Sequence, residues 1–382
     1  MTRNAAQRSD LIAQGAASLP AVSAVAVQAY QSVMQLLAAE VTDRIAAHSR
    51  YPELIGGNPP TLFADNHRYH AQFMDEVFQS AQYDLLAVTL PWVYHAYHAQ
   101  GVHYDYFAIE LGLWKEAIVA ALPAEPAAEI IRVYDWMLAQ HQQVIELAEQ
   151  RAKTSLTVDS SLADAFAAFT EALLEADDER LLQLCRELRD AGMALPTLLQ
   201  GLVVPAMNLV GLLWEDGKLS ITGEHQATAI INRVLSSLYY EQAFPEPVRG
   251  RALVAASVNE FHELGAWMVA TCLELDGWDV IYLGANVPND VLLHKALDQR
   301  PDLVALSISM PFNLRAARAA VAALRSHLPA TKVVVGGQVF QFLSSLGTDI
   351  GADACLHNCL DAVTWARAHC LPSANDVLHR DA

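Results

Sequence analysis

Two short motifs about 35 residues apart carry the side chains best suited to bind a cofactor. The first is Trp214, followed after nine residues by the pair Glu224–His225. The second is Glu260-Phe261-His262-Glu263-Leu264-Gly265, directly after an apolar run. An imidazole is a common metal ligand, and an indole offers a large flat apolar surface. The two motifs together indicate a flat metal cofactor with His262 below it and Trp214 above it.

His262 follows a predicted strand, residues 252–257. Open α/β sheets bind ligands at the carboxyl ends of their strands, so we expect the imidazole at a ligand-binding edge. A metal-ligating histidine needs an acceptor that fixes its tautomer, and Glu260 can reach the far ring nitrogen. Gly265 lets a flat group approach the backbone closely. These residues favour a metal site with His262 as the ligand.

Three other strand ends share this edge in the predicted sheet. The residues at these ends are Ser307 and Ser309 after the third strand, Gly336 and Gly337 after the fourth, and Leu283 and Val287 after the second. Small polar and glycine residues there would let an extended tail of the cofactor run between the strand ends.

The apolar pattern divides the chain into three regions and a tail. Residues 1–152 show the spacing of three and four typical of helices, and residues 160–245 read as four helices at 162–174, 179–191, 196–214 and 224–240. In residues 250–371, apolar strands alternate with amphipathic helices, which indicates a doubly wound, flavodoxin-like parallel sheet of five strands. We predict a linker at 153–161 and a tail at 372–382.

Composition disfavours several classes of function. The 382 residues carry a formal net charge of −19 and no cluster of lysines or arginines, so direct DNA or RNA binding is disfavoured. An acidic chain is repelled by anionic lipid, and we expect no apolar stretch of membrane-spanning length and no signal peptide. The five cysteines, an odd number, favour a reducing cytoplasm.

With its acid-x-His-x-x-Gly motif, serine-containing strand end and late Gly-Gly, the segment 250–370 resembles a cobalamin-binding domain. The resemblance implies that His262 replaces the cofactor's dimethylbenzimidazole as the lower cobalt ligand. It also implies that Glu260 and Ser307 complete a hydrogen-bond relay, with the nucleotide tail near Ser309, Gly336 and Gly337. The alternative is a generic flavodoxin-like domain with a chance histidine.

The spacing of Trp214 and Glu224–His225 resembles the light-sensing adenosylcobalamin proteins of the CarH/LitR type. This resemblance implies that the indole packs over the adenosyl group, that light breaks the cobalt–carbon bond, and that the bundle then shifts. Two features depart from the family. We find no helix-turn-helix pattern, and Glu215 occupies the position of a histidine that can bind cobalt after photolysis.

The stretch 48–114 is rich in aromatic rings and histidines, and Tyr94 and His98 lie one helical turn apart. With its helical N-terminal region, the whole chain resembles the photocobilins, which implies biliverdin as a second chromophore near Tyr94, His95, His98 and His103. No cysteine precedes Cys185, so a thioether link within this region is excluded. Haem, with His95, His98 or His67 as its ligand, and an aromatic core with surface histidines are the alternatives.

We therefore predict a cytoplasmic, non-enzymatic light sensor that uses adenosylcobalamin and biliverdin. We expect a light-dependent homo-oligomer with a possible regulatory protein partner, and no contact with nucleic acid or membrane. One alternative is the corrinoid methyl carrier of a methyltransferase, which shares the bundle and the sheet. Another, compatible with sensing, is an adaptor that antagonises a repressor by binding it.

Overall fold

The computed structural model of this chain describes residues 3–150, 158–342 and 346–370. By its contacts the chain divides into two compact units. The first comprises Met1–Ser155 together with Leu212–Ser220, and the second comprises Leu156–Gly211 together with Ile221–Ala382. The predicted tail 372–382 and residues 153–157 of the predicted linker lie outside the described residues.

The first unit is helical, as the apolar spacing predicts. Its helices are α1 (Arg3–Ala17), α2 (Ala24–Ala46), α3 (Tyr51–Leu54), α4 (Pro60–Ser80), α5 (Asp84–Ala99), α6 (Asp105–Ala121) and α7 (Ala124–Glu149). Helix α2 packs against α4, α6 and α7, and α5 packs against α7. Large aromatic side chains are fully buried between them, including Tyr30, Trp114 and Tyr134. The core therefore contains large aromatic side chains among its aliphatic ones, and their hydroxyl and indole N–H groups need internal partners.

Four further helices follow at nearly the predicted positions. They are α8 (Ala163–Leu174), α9 (Asp178–Asp190), the long helix Leu195–Glu215 and α12 (Ile221–Tyr240). The long helix consists of α10 (Leu195–Leu198), a π-helical turn (Leu199–Val203) and α11 (Val204–Glu215). The apolar pattern indicated the helix but gave no sign of the π turn, because one extra residue changes the spacing only locally.

Within the described ranges, the long helix Leu195–Glu215 is apolar and long enough by composition and length to cross a membrane. The expectation that no stretch reaches that length is therefore wrong. In this fold, however, Leu198, Leu202 and Val203 of the helix are fully buried in the protein. These contacts are those of a core helix in a bundle.

The sheet has five parallel strands in the order β2-β1-β3-β4-β5. The strands are β1 (Arg251–Ala256), β2 (Asp279–Tyr282), β3 (Leu303–Ser307), β4 (Lys332–Gly336) and β5 (Ala354–Leu356). The helices are α13 (Leu264–Leu275), α14 (Asn289–Gln299), α15 (Leu314–His327), α16 (Val339–Phe342), α17 (Leu346–Asp349) and α18 (Cys359–His369). This order confirms the predicted flavodoxin-like fold, whose ligands bind where strand order reverses, between β1 and β3.

The register brings the predicted site residues to one level of the sheet. Ala256 of β1 pairs with Ser307 of β3, and Ser307 pairs with Gly336 of β4. The loops that follow these three residues therefore leave the sheet side by side. This arrangement gathers the segments after β1, β3 and β4 at the edge where the sequence predicts the cofactor.

Candidate functional site: the carboxyl edge of the sheet

The loop after β1 is shaped by two asparagines in the left-handed conformation. Asn259 has a φ of 58° and Asn286 a φ of 51°, a region that asparagine enters more readily than most residues. The amide of Asn259 donates to Oδ1 of Asn286 at 2.8 Å, and the amide of Asn286 donates to the Glu260 carbonyl at 2.9 Å. These bonds join the loops after β1 and β2 and fix the backbone of Glu260.

The Glu260 side chain is completely buried between the loops after β1 and β3. Its Oε2 accepts hydrogen bonds from the amides of Ser309 at 2.7 Å and Met310 at 3.0 Å. It also accepts from Nδ2 of Asn313 at 3.1 Å. Because these donors all follow β3, Glu260 bridges the switch point of the sheet.

The other carboxylate oxygen of Glu260 orients His262. Nδ1 of His262 lies 2.5 Å from Oε1 of Glu260. An ionised carboxylate only accepts hydrogen bonds, so Nδ1 donates and Nε2 of the neutral ring carries the lone pair. The His262 side chain is 62% exposed, and no hydrogen bond to its Nε2 is recorded within residues 3–150, 158–342 and 346–370. This is the arrangement of a histidine ready to bind a metal.

The two groups shift each other's pKa in opposite directions. Burial by itself raises the pKa of the Glu260 carboxyl, but the hydrogen bond and charge of His262 and the amides of Met310 and Ser309 lower it overall. The hydrogen bond to Glu260 raises the pKa of His262 against the effect of burial, and the charge of Glu224 adds to the rise. Glu260 is therefore held ionised as a hydrogen-bond acceptor for the ring.

Two buried polar atoms at this edge have no hydrogen-bond partner in the described parts of the chain. They are Oγ of Ser257, at the end of β1, and Oδ1 of Asn313. Buried polar groups are nearly always paired in native proteins. Together with the exposed Nε2 of His262, these atoms fit a site that is completed by a polar ligand such as a cobalamin.

The relay that the resemblance assigns to Ser307 does not form in this structure. Across the described ranges, no hydrogen bond links Ser307 to Glu260, and the amides of Ser309 and Met310 contact the carboxylate instead. The Ser307 hydroxyl faces Gly265, where a Cβ would lie 3.4 Å from it. Ser309 therefore contributes through its backbone, and Gly265 keeps space beside the hydroxyl.

The glycine pair after β4 has a structural role in addition to any contact with a cofactor. Gly337 has a φ of +117°, and a Cβ there would lie 2.1 Å from the Ile308 carbonyl. Gly336 lies against the carbonyl of Leu356. Only glycine fits at position 337, because the segments after β3 and β4 approach so closely.

The predicted residues after β2 differ in exposure. Leu283 is half-buried and its amide donates to the Val254 carbonyl at 2.9 Å. Val287 is buried, and its amide donates to the Ala256 carbonyl at 3.3 Å. Both amides tie this loop to β1, which places Leu283 as the more accessible of the two side chains.

The polar pair of the upper motif lies in the first turn of α12. Nδ1 of His225 is 2.5 Å from Oε2 of Glu224, whose Oε1 accepts a hydrogen bond from Oγ1 of Thr228 at 2.9 Å. The His225 side chain is 74% exposed and that of Glu224 is 30% exposed. The pair is thus preorganised and accessible.

Trp214, by contrast, belongs by its contacts to the first unit. Its side chain is half-buried, and its carbonyl accepts a hydrogen bond from Nε2 of Gln100 at 2.7 Å. The neighbouring Glu215 accepts from Nε1 of Trp92 at 2.8 Å. Glu215, at the position that departs from the CarH/LitR pattern, is therefore engaged by an indole of the first unit.

The aromatic residues assigned to a bilin form one connected cluster in the first unit. The Tyr94 ring stacks on Phe107 with centroids 3.9 Å apart, and the His98 ring stacks on Tyr104 at the same separation. The Tyr94 hydroxyl lies 2.9 Å from Nδ1 of His141. The sequence correctly places Tyr94 and His98 together, with rings of α6 and its preceding loop beside them.

The other two predicted bilin residues have different surroundings. His95 uses both ring nitrogens, with Nδ1 3.1 Å from the Ala148 carbonyl and Nε2 3.1 Å from Oδ1 of Asp216. His103 is 47% exposed, and its Nδ1 accepts from the Asp105 amide at 3.1 Å. His95 is thus already held by protein groups, whereas His103 lies at the surface.

His67, one of the alternative haem ligands, is completely buried. Its Nδ1 lies 2.8 Å from Oγ1 of Thr42 and its Nε2 lies 2.9 Å from the Tyr106 hydroxyl. A haem iron could reach His67 or His95 only after one of these hydrogen bonds is broken. Among the residues that the structure describes, His98 makes a hydrogen bond only through Nδ1, to the Val102 carbonyl at 3.0 Å.

Sequence reasoning missed Asn313, Asn286 and the Met310 amide. An asparagine that precedes a helix usually indicates a cap, so Asn313 gave no signal of a buried contact with Glu260. The two left-handed asparagines, Asn259 and Asn286, follow strands and could have been suspected from that position. Backbone amides such as that of Met310 carry no signal in the sequence.

Family models match the two regions that surround this edge. Residues 250–362 match the B12 binding domain, and residues 165–239 match a second model that is also described as a B12 binding domain. The first match covers the sheet with its His262 loop, and the second covers the four helices before it. Both matches lie after residue 164.

The relatives that this chain matches include a repressor and corrinoid proteins. The chain is 38% identical over 100 residues to the HTH-type transcriptional repressor CarA of Myxococcus xanthus, covering 26% of this chain and 34% of CarA. It is 28% identical over 167 residues to the dimethylamine corrinoid protein of Methanosarcina barkeri, covering 42% of this chain and 76% of that protein. The solved M. barkeri monomethylamine corrinoid protein matches with a TM-score of 0.47 at 20% identity, covering 54% of this chain and 98% of that one.

The two family matches support a cobalamin-binding protein with a corrinoid cofactor. They agree with the flavodoxin-like sheet, the helical bundle before it and the histidine–carboxylate pair at the switch point. The chain spans only about a third of the length of CarA.

Proposed function

We propose that this chain is a light sensor that binds adenosylcobalamin. The observation that carries the proposal is the pairing of His262 with the buried Glu260, which leaves Nε2 of the imidazole exposed at the sheet edge. His262 is then the lower cobalt ligand, and Glu260 holds the ring in the required tautomer.

The upper motif supports the adenosyl form and the response to light. Trp214 and Glu224–His225 have the spacing of the CarH/LitR-type photoreceptors. Adenosylcobalamin supplies a cobalt–carbon bond that visible light breaks. The chain holds the cofactor through His262 and shields its upper side with Trp214. When light releases the adenosyl group, the way the bundle packs or self-associates changes.

We propose that the chain passes on its signal by contacting another protein rather than by catalysing a reaction. We expect a cytoplasmic, non-catalytic protein whose oligomeric state depends on light and which passes its signal to a regulatory protein. The formal net charge of −19 supports a protein partner over a nucleic acid, because phosphate backbones repel acidic surfaces.

For the first unit we propose non-covalent binding of biliverdin. The stacked rings of Tyr94, Phe107, His98 and Tyr104 offer flat surfaces for a conjugated ligand. His103, near the surface, is suited to a propionate. Haem is the rival ligand, and His98 is then its best axial candidate because Nε2 of His98 has no recorded partner in the described residues.

A corrinoid methyl carrier is the second candidate function. It is favoured by the similarity to dimethylamine corrinoid proteins of Methanosarcina, one of which aligns over 92% of its own length. A carrier must open the upper side of the cofactor to a partner enzyme. A tryptophan above the corrin is poorly suited to that access.

The light-sensor proposal is tested by loading the full chain with adenosylcobalamin in the dark and then illuminating it. We expect rapid conversion of the absorption spectrum and a changed elution volume in size-exclusion chromatography. The matched control is the same chain loaded with hydroxocobalamin, which has no cobalt–carbon bond and should elute unchanged. Light-insensitive elution, together with methyl transfer in the dark from the methylcobalamin-loaded chain, would establish the carrier instead.

The second chromophore is tested by titrating the chain separately with biliverdin and with haemin. We expect a red-shifted biliverdin band that persists on gel filtration and is lost in Tyr94→Ala. Val119→Ala, at an exposed position of α6, is the control. If haemin gives a Soret band that depends on His98 and biliverdin is not retained, the ligand of the first unit is haem rather than biliverdin.

A further inference from the structure

The turn formed by residues 214–218, called here the Trp214 turn, is fastened to helix α5 by side chains. Nε1 of Trp92 donates to Oε1 of Glu215 at 2.8 Å. Nε2 of His95 lies 3.1 Å from Oδ1 of Asp216. Both contacts involve a charged acceptor, and such hydrogen bonds are stronger than those between neutral groups.

Backbone contacts complete this attachment. Nε2 of Gln100 donates to the Trp214 carbonyl at 2.7 Å. Gly217 has a φ of +66°, and a Cβ there would lie 2.3 Å from the Ala99 carbonyl. The turn therefore lies directly against the carboxyl end of α5 and requires glycine at its closest point.

The acidic group of the turn is held from two sides. Nζ of Lys218 lies 2.6 Å from Oδ2 of Asp216, opposite the contact of His95 with Oδ1. Lys218 lowers the pKa of the Asp216 carboxyl, burial opposes this, and His95 lowers it further. The His95 ring is fixed in turn by the Ala148 carbonyl of α7. The turn thus contacts the region of the first unit where α5 packs against α7.

Helix α5 presents this attachment and the aromatic cluster on different faces. Trp92, His95 and Ala99 are spaced by three and four residues and share one face. Tyr94 and His98, spaced by four, share another. A single helix therefore contacts both the Trp214 turn and the proposed bilin site.

We propose that Trp92 and His95 of α5, and Gln100 directly after it, are positioning residues for Trp214, so that the first unit sets how the upper side of the cobalamin is shielded. The inference rests on the proposed function, in which Trp214 covers the corrin. A change in α5 is then transmitted to Trp214 through the turn, which gives the first unit control over the cofactor's upper coordination position.

The test measures access to that position rather than the light response. The full chain is loaded with aquocobalamin, and azide substitution on cobalt is followed by stopped-flow absorbance. Trp214→Ala is the reference for an open upper face. We expect His95→Ala and Asp216→Ala each to speed substitution roughly 10- to 100-fold, about the effect of one charged hydrogen bond.

Three further variants make the test specific. The effects of the two changes should be less than additive in the double variant of His95 and Asp216, because each single change already removes the contact between these two residues. His95→Gln, whose amide can still donate to Asp216, should restore most of the slow rate. Glu116→Gln, an exposed carboxylate of α6 paired with Arg44, should leave the rate unchanged.

The outcomes separate this inference from the proposed function. If Trp214→Ala speeds substitution but the His95 and Asp216 variants do not, the positioning role is overturned, and Trp214 still shields the upper side of the cofactor. If Trp214→Ala has no effect, the proposal that Trp214 shields the upper side of the cofactor is itself wrong. Gly217→Ala gives an independent check, since its Cβ would collide with the Ala99 carbonyl and should also speed substitution. Circular dichroism verifies that each variant is folded.

Discussion

The sheet edge around His262 and the helical core around His67 use histidine in opposite ways. His262 has one ring nitrogen bound to a carboxylate and a side chain that is 62% exposed. His67 has both ring nitrogens bound to hydroxyl groups and is completely buried. The first arrangement prepares a ligand for a metal, and the second satisfies a polar group within a core.

The pKa shifts follow the same division. The hydrogen bond to Glu260 raises the pKa of His262. Burial alone lowers the pKa of His67 to about 4, and burial together with the charge of His67 lowers that of His70 to about 3. A hydrogen bond to a carboxylate therefore distinguishes His262 from the two core histidines, although all three are hydrogen-bonded.

Removing the His262 ring should have the largest effect. We expect His262→Ala to weaken cobalamin binding by more than the 10- to 100-fold that loss of an outer hydrogen-bond partner typically costs. Equilibrium dialysis with hydroxocobalamin measures the change. His327→Ala, an exposed histidine whose Nδ1 contacts the Ala323 carbonyl, is the control. If His262→Ala binds cobalamin as wild type does, His262 is not the metal ligand, and the contrast drawn with His67 fails.

Altering the carboxylate that orients this ring should have the next largest effect. We expect Glu260→Gln to weaken cobalamin binding about 10- to 100-fold. An amide cannot accept with both of its terminal atoms, so either His262 or the Ser309 and Met310 amides lose a partner. The melting temperature of the cobalamin-free chain should also fall. Wild-type affinity in this variant would show that Glu260 is only structural.

The buried carboxyl beside His67 makes a prediction about stability and pH. Burial raises the pKa of Glu110 to about 7 from 4.5, although the hydrogen bond from Trp114 opposes the rise. The folded state therefore holds the Glu110 proton more tightly than the unfolded state. The stability from this group is complete below about pH 4.5 and is lost as the pH rises through about 7.

Glu110→Gln should remove the loss of stability at rising pH, and its amide oxygen can still accept the hydrogen bond from Nε1 of Trp114. The variant's free energy of unfolding, relative to wild type, should rise by up to about 3 kcal/mol between acid and neutral pH. Denaturant unfolding of wild type and Glu110→Gln over a pH series gives this difference. The contribution of His67 titration is nearly the same in both proteins and largely cancels. A difference that does not change with pH would mean that Glu110 is not perturbed.

The smallest effect is expected at the surface of the first unit. His103 is 47% exposed and its contact with Asp105 is solvent-accessible. We expect His103→Ala to change the free energy of unfolding by less than about 0.5 kcal/mol. Its effect on biliverdin binding is the informative measurement, because a loss of binding without a loss of stability would assign His103 to the ligand.

The sequence was informative where local pattern and chemistry agree. The alternation after residue 250 predicted all five strands, and the spacing from Glu260 to His262 predicted their hydrogen bond. Both features follow from residues that are close in the chain.

The partners of the Glu260 carboxylate could not be predicted in the same way. The Ser309 amide and the Asn313 side chain lie about 50 residues further along the chain and reach Glu260 only through strand order. Likewise, nothing in the local sequence around Trp214 indicates that Trp92 and His95 hold the following turn. Such contacts depend on tertiary packing, which the periodicity of a single segment does not record.

The π turn at Leu199–Val203 has a consequence for how this chain can vary. Each residue advances an α-helix by about 100°, so one extra residue rotates all that follows it by the same angle. Deleting a single residue such as Gly201 would restore an unbroken α-helical phase and swing the indole at position 214 through more than a quarter of a revolution. A one-codon deletion would thus redirect Trp214 while every side chain at the sheet edge stays the same.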